Sequence, residues 1–555
     1  MNKEPWTFLE EYRGTDFKGQ WPTLPEMLKI TVKRYPERRA FTSFSPELIE
    51  FNYSEVLEKV EMYGQYLHGI GVKKGDRVGV TGKNSPQWAL AYLGILFAGA
   101  IVVPLDYGLK NEEIRGLMET AGAEILFCDE EKYDFFKEAG LKELISLSPK
   151  KENYILDINH KGSVEFELQG EEDLAAILFT SGTTGVSKGV MLTHSNFVSD
   201  CYLAQANMNI FHTDVFYALL PLHHSYSMLA VFIESLSVGA EVIFAKGLAI
   251  QQILKDLKNG KVTMFLGIPM LFNKLIKGLM KGIREKGIVV YGLIRFLMWL
   301  SGIIKKYFHV NPGKKMFGSI LKQVSLDTNR ICICGGGPLP ESTFKMFNQL
   351  GIDFVQGYGL TETSPIVALN PKEAYREASV GKMIPRTTTK ILEPDERGCG
   401  EIAISGPMVM KGYYENPEAT AEVLTEDGFL KTGDVGYLDE DNYLYLTGRA
   451  KSMIVTEGGK NVFPEEIEDK FQLYDEIEQI LIRGFLLDEK MKVEGIEALI
   501  YPSDEGKKDG EERFRAIIDE VNRELKAYQK INRHRILDEP MEMTTTRKIK
   551  RFAVE

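Results

Sequence analysis

Short apolar runs alternate with longer amphipathic stretches through the first four hundred residues. The run DRVGVTG (76–82) predicts a strand, PQWALAYLGILFAGA (86–100) a helix with Pro86 in its first turn, and IVVPLD (101–106) a second strand. Together they form a βαβ unit. Further apolar runs ending in Gly, Pro or Asp follow at AEILFCD (123–129), AEVIFA (240–245), KVTMFLGIP (261–269) and GIDFVQGYG (351–359). Repeated units of this kind predict parallel-rich sheets flanked by helices. Ligands then gather at the carboxyl ends of the strands.

From about residue 380 the pattern shifts towards alternation, in VGKMIP (380–385), TKILEP (389–394), GEIAISG (400–406) and NYLYLTG (442–448). This predicts a small, mostly antiparallel β region. Beyond Lys451, FPEEIEDKF, EIEQILIRG, IEALIYP and a charged helix from Glu512 to about Lys530 predict a compact α+β module. The fold class is therefore α/β. A large N-terminal domain (1–450) is expected to bind substrates, and a small mobile α+β C-terminal domain (451–555) to complete the site.

The segment GIVVYGLIRFLMWLSGIIKKYF (287–308) nears the ~20 residues of a spanning helix, but Arg295 interrupts it. Two placements remain: a helix packed in the core, which is favoured, or one resting on a membrane surface with Lys305 and Lys306 at the headgroups.

At 555 residues the chain exceeds what one core supports, and its net charge of −12 provides no global basic field for nucleic acid. An anionic ligand must be met by local cations. The five cysteines, Cys128, Cys201, Cys332, Cys334 and Cys399, are scattered. RICICGGG reads as a buried strand in which cysteine is a small apolar residue. The N-terminus lacks a signal-peptide pattern, so a cytoplasmic location is expected, with peripheral contact at the inner membrane surface as a further option.

Candidate chemistry sits in the loops. TSGTTGVSKG (180–189) combines small residues, hydroxyls and Lys188, a composition suited to cradling phosphate oxygens, yet no Walker A spacing fits it. GGGPLP (335–340) offers bare backbone for a flat ring. GYGLTETSP (357–365) offers Tyr358 for stacking, Thr361 for a phosphate oxygen and Glu362 as a hard ligand for Mg²⁺. FLKTGDVG places Asp434 to hold a ribose diol, and GRAKSMIVTEGGKNV carries Arg449 and Lys451.

This ordered set, closing with TTTRKIKR (544–551), resembles the adenylate-forming superfamily over essentially the whole chain, most nearly its long-chain fatty acyl-CoA synthetases. The resemblance implies ATP, Mg²⁺ and coenzyme A. It assigns Thr180, Ser181, Gly182, Thr183, Thr184, Gly185 and Lys188 to the phosphate loop. Gly335, Gly336, Gly337, Gln356, Gly357, Tyr358 and Gly359 fall to the nucleotide pocket, Thr361 and Glu362 to the α-phosphate and metal, and Asp434 and Arg449 to the ribose. It further implies Lys451 as hinge, Gly458 and Gly459 as the thioester-forming loop, Lys548 as catalytic lysine, and His224, rather than His223, beside the acyl site. Ser187 stands where the family usually has Pro, and Arg547 where it has Gly; both leave the lysines in register.

The implied reaction joins a carboxylic acid, favouring a long-chain fatty acid, to AMP and then to coenzyme A. Alternatives are medium-chain or aryl acids, an acyl carrier protein as acceptor, release of free acyl-AMP, and a non-catalytic nucleotide or acyl binder. The apolar insertion between about Gly278 and Asn329 supports the long chain.

Overall fold

The 76–106 pattern becomes two parallel strands, Arg77–Thr81 and Ile101–Leu105, joined by the helix Pro86–Phe97. Ser85 caps that helix by accepting from the Trp88 amide, Pro86 supplies its fixed φ, and all its residues are buried. A helix apolar all round needs cover on every side. Here it packs between its strands and the helix Tyr53–Gly69, where the close approach leaves no room for a Cβ on Gly94 beside Tyr63.

The computed structural model describes residues 4–160, 162, 169–181, 187–247, 249–337, 339–456, 460–488, 493–508, 510–544 and 549–554. Two large sheets dominate it. The seven-stranded sheet runs in parallel through Ile101–Leu105, Arg77–Thr81, Ile125–Cys128 and Glu143–Ser146. On its other side lies the antiparallel hairpin Leu174–Ser181 and Ser187–Thr193, edged by Gly412–Tyr413.

The thirteen-stranded sheet has a parallel half, centred on Val215–Ala218, Met264–Gly267, Ile331–Cys334 and Asp353–Gly359. The antiparallel strands expected after residue 380 do form, at Gly381–Met383, Thr388–Leu392, Gly400–Ser405, Leu430–Leu438 and Tyr443–Arg449. Ile366–Leu369 bonds to the outer half of Asp353–Gly359 and joins this antiparallel region to the parallel strands in one sheet. All five cysteines are free and buried, and Cys332 and Cys334 lie within the strand Ile331–Cys334, as the Ile-Cys alternation predicts.

After residue 451, Ile477–Asp488, Val493–Pro502 and Arg533–Ile536 form a three-stranded sheet covered by the helices Pro464–Phe471 and Glu511–Glu524. It has an apolar core of its own around Ile467, Ile482, Ile500 and Ile517. The charged helix ends at Glu524, short of Lys530. A 3₁₀ turn at Ala527–Gln529 replaces its last part.

The 287–308 segment departs from the favoured reading. It forms one helix, Ile288–Phe308, but only a narrow stripe of Met298, Ser301 and Lys305 is buried. The outward face stays in solvent because its inner face alone packs on the helix Glu341–Gln349. Lys305 does not reach outward: its Nζ lies 2.7 Å from Asp353 and donates to Asn348 Oδ1 at 2.8 Å. Burial pulls that ammonium below its usual range, and the facing Asp353 opposes the shift. Lys306 pairs with Glu377 at 3.1 Å on the surface.

Candidate active site

Strands of both large sheets supply the site. Leu174–Ser181 and Ser187–Thr193 pair in register, Thr180 opposite Lys188 and Ser181 opposite Ser187. Gly182, Thr183, Thr184 and Gly185 lie outside the described residues, as does the side chain of Ser181. The Thr180 hydroxyl donates to the Lys188 carbonyl at 3.4 Å. Lys188 Nζ stands 4.9 Å over the ring of Tyr413, a cation–π placement that holds the ammonium against the ring face.

Tyr413 belongs to the short edge strand Gly412–Tyr413, which pairs with the Lys188 strand through Tyr413 and Val190. Its hydroxyl donates to Glu362 Oε1 at 2.9 Å. Burial first, and Glu362 second, push the phenol well above its usual pKa range, so its hydroxyl keeps the proton it donates to the carboxylate. Sequence reasoning missed this residue. The available signal was the aromatic pair after Gly412 in KGYYENPEAT, within the segment that leads to Asp434.

Thr361 and Glu362 occupy a 3₁₀ turn, Thr361–Thr363. The turn is pinned from behind, since Met410 N donates to the Glu362 carbonyl at 2.9 Å and Ser364 Oγ to the Met408 carbonyl at 2.8 Å. Thr361 Oγ1 lies 3.0 Å from Ser225 Oγ, a second residue the sequence reading left out of HHSYS. Two hydroxyls and a half-buried carboxylate thus stand beside the Lys188 cation. A half-buried carboxylate with one donor already in place is a fitting oxygen ligand for Mg²⁺, and Glu362 would hold that ion.

On the other side, Tyr358 donates to Asp434 Oδ2 at 2.6 Å, and Arg449 Nε meets Asp434 Oδ1 at 2.8 Å. Asp434 and Arg449 face each other across adjacent strands, which fixes the pair in register. Burial, reinforced by Asp434, raises the Tyr358 phenol far above its usual range. Gln356 is buried and sits opposite Cys334 in the parallel pairing, which sets the Gly335–Gly337 backbone beside Gly357–Gly359. Gly336 is left-handed (φ 81°), and a Cβ on Gly335 would lie 2.9 Å from the Tyr226 ring. That packing leaves bare backbone as the only lining available there.

His224 precedes the turn Ser225–Ser227, next to the Ser225–Thr361 contact. His223 is buried, its Nε2 3.4 Å from Asp106 Oδ1, and the two imidazole rings lie 4.3 Å apart. One ligand atom from each of Asp106, His223 and His224 falls within 4.8 Å of the others. Their mixed N/O donors suit a softer ion than Mg²⁺, so the hard-oxygen position is Glu362.

Lys451 lies in the turn Ala450–Ser452, where the strand Tyr443–Arg449 leaves the large sheet. Gly458, Gly459 and Lys548 lie outside the described residues. The flanks of Lys548 are joined, Met543 bridging to Ile549 and Lys550 N donating to the Glu542 carbonyl at 2.9 Å.

Paired mixed sheets, a hydroxyl-rich hairpin beside a lysine, and a Tyr–Asp–Arg cluster opposite it define a nucleotide-activating class of enzyme. The chain belongs to the AMP-binding enzyme family, whose pattern matches residues 28–414. It is an AMP-forming acid–thiol ligase of that family.

Among its relatives is a long-chain-fatty-acid–CoA ligase of Bacillus subtilis, 27% identical and aligned over 92% of this chain and 91% of that one. A feruloyl-CoA synthase of Amycolatopsis is 29% identical over 83% of this chain and 85% of its own length. The o-succinylbenzoate coenzyme A synthetase of Bacillus subtilis, solved with ATP and magnesium ion, shares the fold at a TM-score of 0.75 and 22% identity, covering 95% of this chain and 98% of that one.

Proposed function

We propose that the chain converts a long-chain fatty acid to its coenzyme A thioester. The carboxylate oxygen attacks the α-phosphorus of ATP, the bond to the bridging oxygen breaks, and pyrophosphate leaves. The coenzyme A thiol then gives up its proton to solvent, its sulfur attacks the acyl carbon, and AMP departs with the electron pair of the broken C–O bond. No general base is required in the first step, because a carboxylic acid with a pKa near ~4 is already ionised at neutral pH.

The observation that carries this reading is the connected patch Lys188–Tyr413–Glu362, flanked by Thr361 and Ser225. Negative charge that builds on phosphate oxygens needs fixed cations and donors, and this patch supplies them from rigid strands and a pinned turn. Lys188 would neutralise phosphate charge, Thr361 would donate to the α-phosphate, and Asp434 would accept from ribose hydroxyls. Lys548 would reach the same phosphate from the C-terminal portion, residues 451–555, which would then turn about Lys451 to bring Gly458 and Gly459 to the thiol.

Support for the long acyl chain comes from the apolar 278–329 insertion and from the fatty-acid relative. ATP–pyrophosphate exchange across acetate, octanoate, palmitate, oleate and ferulate, followed by addition of coenzyme A, tests it. Exchange peaking at palmitate or oleate, with thioester appearing on addition of coenzyme A, is the expected result. A maximum at ferulate would replace the substrate class. Exchange without thioester would move the acceptor to a carrier protein or end the reaction at acyl-AMP.

A further inference from the structure

Large apolar side chains normally leave the surface of a soluble protein only in scattered positions. In this chain they are concentrated on one helix. Along Ile288–Phe308 the outward stripe carries Val289, Leu293, Phe296 and Tyr307 at helical spacing, with Trp299 on its shoulder. Phe296 is 55% exposed and Trp299 54%, and their rings touch with centroids 5.8 Å apart. The inner stripe of Met298, Ser301 and Lys305 is committed to the protein, the last through its ion pair with Asp353. The helix therefore cannot turn its apolar face inward without breaking a buried charge pair, nor leave the fold to cross a bilayer.

The charge around this stripe identifies its partner. Although the whole chain carries −12, residues 281–326 contain nine Lys or Arg and one acid, Glu285, and three of the nine, Lys281, Lys305 and Lys306, pair with Glu505, Asp353 and Glu377 from outside this stretch. Arg295 lies on the flank of the apolar stripe. Arg284 and Lys286 precede the helix, and Lys315 and Lys322 follow it, all exposed. The returning segment is held close, because Gly313 packs against Ser301 so tightly that a Cβ there would meet its Oγ at 2.6 Å. An apolar stripe about 30 Å long with Trp and Tyr on it and basic flanks matches a bilayer interface with anionic headgroups. A second acidic copy of this chain would match the charge but would have to bury its own basic flanks at the same contact.

We propose that the helix Ile288–Phe308 lies in the plane of an anionic membrane, seating Leu293, Phe296 and Trp299 below the headgroups while Arg295 and the flanking lysines pair with them. Docking needs no substrate, so it stands or falls apart from the acyl-chain reading. The same helix packs on Glu341–Gln349, which follows the Gly335–Gly337 loop, so the membrane surface would lie one helix layer from the nucleotide pocket.

The four tryptophans provide the test, since Trp6, Trp21 and Trp88 are buried and Trp299 is not. Phosphatidylcholine vesicles, with and without phosphatidylglycerol and with and without brominated acyl chains, are titrated into the full chain while tryptophan emission is read. Flotation of the same mixtures measures binding. Brominated anionic vesicles should quench the emission, neutral ones far less, and raised salt should weaken binding because surface charge is screened within ~10 Å at 0.1 M. Trp299→Phe should abolish quenching but not flotation. Leu293→Ser with Phe296→Ser should lower partitioning by about tenfold or more at an unchanged thermal midpoint, since both side chains already face solvent. Absence of flotation, or flotation unchanged in that double variant, overturns the proposal. A dimer in sedimentation velocity that the double variant dissociates, without any vesicle binding, assigns the face to a second copy instead.

Discussion

Tyr413 joins two groups that lie far apart in the chain, Glu362 by a hydrogen bond across 51 positions and Lys188 by its ring. Removing its hydroxyl leaves the ring under the ammonium and takes one donor from the carboxylate. A hydrogen bond to a charged group contributes about 1.5–3 kcal/mol, so Tyr413→Phe should slow pyrophosphate exchange by roughly tenfold to a hundredfold. It should also shift the Mg²⁺ concentration for half-maximal exchange, because Glu362 gains freedom. An unchanged Mg²⁺ dependence would separate Tyr413 from the metal position. A second residue-scale consequence lies behind the site, where Asp200 accepts from the Ile366 amide at 2.8 Å and the buried Glu234 is pushed by desolvation to about 8. The native state therefore keeps a proton on Glu234 that the unfolded chain releases above its ordinary value of 4.5. That contribution to stability is full below pH ~4.5 and is lost as pH rises towards ~8. Glu234→Gln should gain in thermal midpoint over the parent across this window and level off above it. A gain independent of pH would mean that the carboxyl is ionised in the native protein.

At the scale of elements, backbone proximity decides more than side chains do. Gly359 ends the strand Asp353–Gly359 at a bulge, and a Cβ there would stand 1.4 Å from the Pro365 carbonyl oxygen, backbone that cannot swing aside. Gly359→Ala should cost about 1–3 kcal/mol and weaken nucleotide binding by shifting the 361–365 turn. Gly116→Ala, in the helix Asn111–Ala121 with open space around it, should instead stabilise by about 0.4–1 kcal/mol. Equal thermal midpoints for the two variants would defeat this contrast. The parallel strands around 77–128 and 331–359 were legible because strands buried on both faces read as short apolar runs bounded by Gly, Pro or Asp. The glycines of 335–337 and the pair Asp434–Arg449 were legible as loop composition and as family resemblance. Tyr413 and Ser225 were not, because their partners are fixed by sheet order and turn geometry, which local sequence does not encode. The helix Ile288–Phe308 was misplaced for a related reason: apolar content predicts burial, but only the inner stripe finds a protein surface to cover it.

On the scale of the whole molecule, the portion after Lys451 has its own apolar core and meets the rest partly through polar contacts on one helix, Pro269–Arg284. Asn273 Nδ2 donates to Gln472 Oε1 at 2.9 Å, Lys277 Nζ to the Tyr474 carbonyl at 3.1 Å, and Lys281 pairs with Glu505 at 3.1 Å. The exposed Lys281–Glu505 pair contributes little, and each of the two part-buried hydrogen bonds about 0.5–1.5 kcal/mol. Breaking them is cheap beside breaking a core, so reorientation would be governed by the connecting backbone. That backbone passes from Arg449, still in its strand, into the turn at Ala450–Ser452, while Phe463 and Glu465 press on Gly448 closely enough to exclude a Cβ. Rotation must then be absorbed between Gly448 and Phe463, with Lys451 at the centre of the turn that leaves the sheet. Lys451→Pro fixes φ near the value a 3₁₀ turn already uses, so the present arrangement survives and any arrangement needing another φ is forbidden. Pyrophosphate exchange and thioester formation, measured separately in single turnover, should then diverge: whichever half-reaction uses the present arrangement persists, and the other falls on the order of tenfold or more. Loss of thioester formation alone would identify the present arrangement with acyl-AMP formation, and loss of exchange alone with thiol transfer. Equal loss of both would move the pivot away from Lys451, and neither being lost would mean that both steps run in one arrangement of the chain.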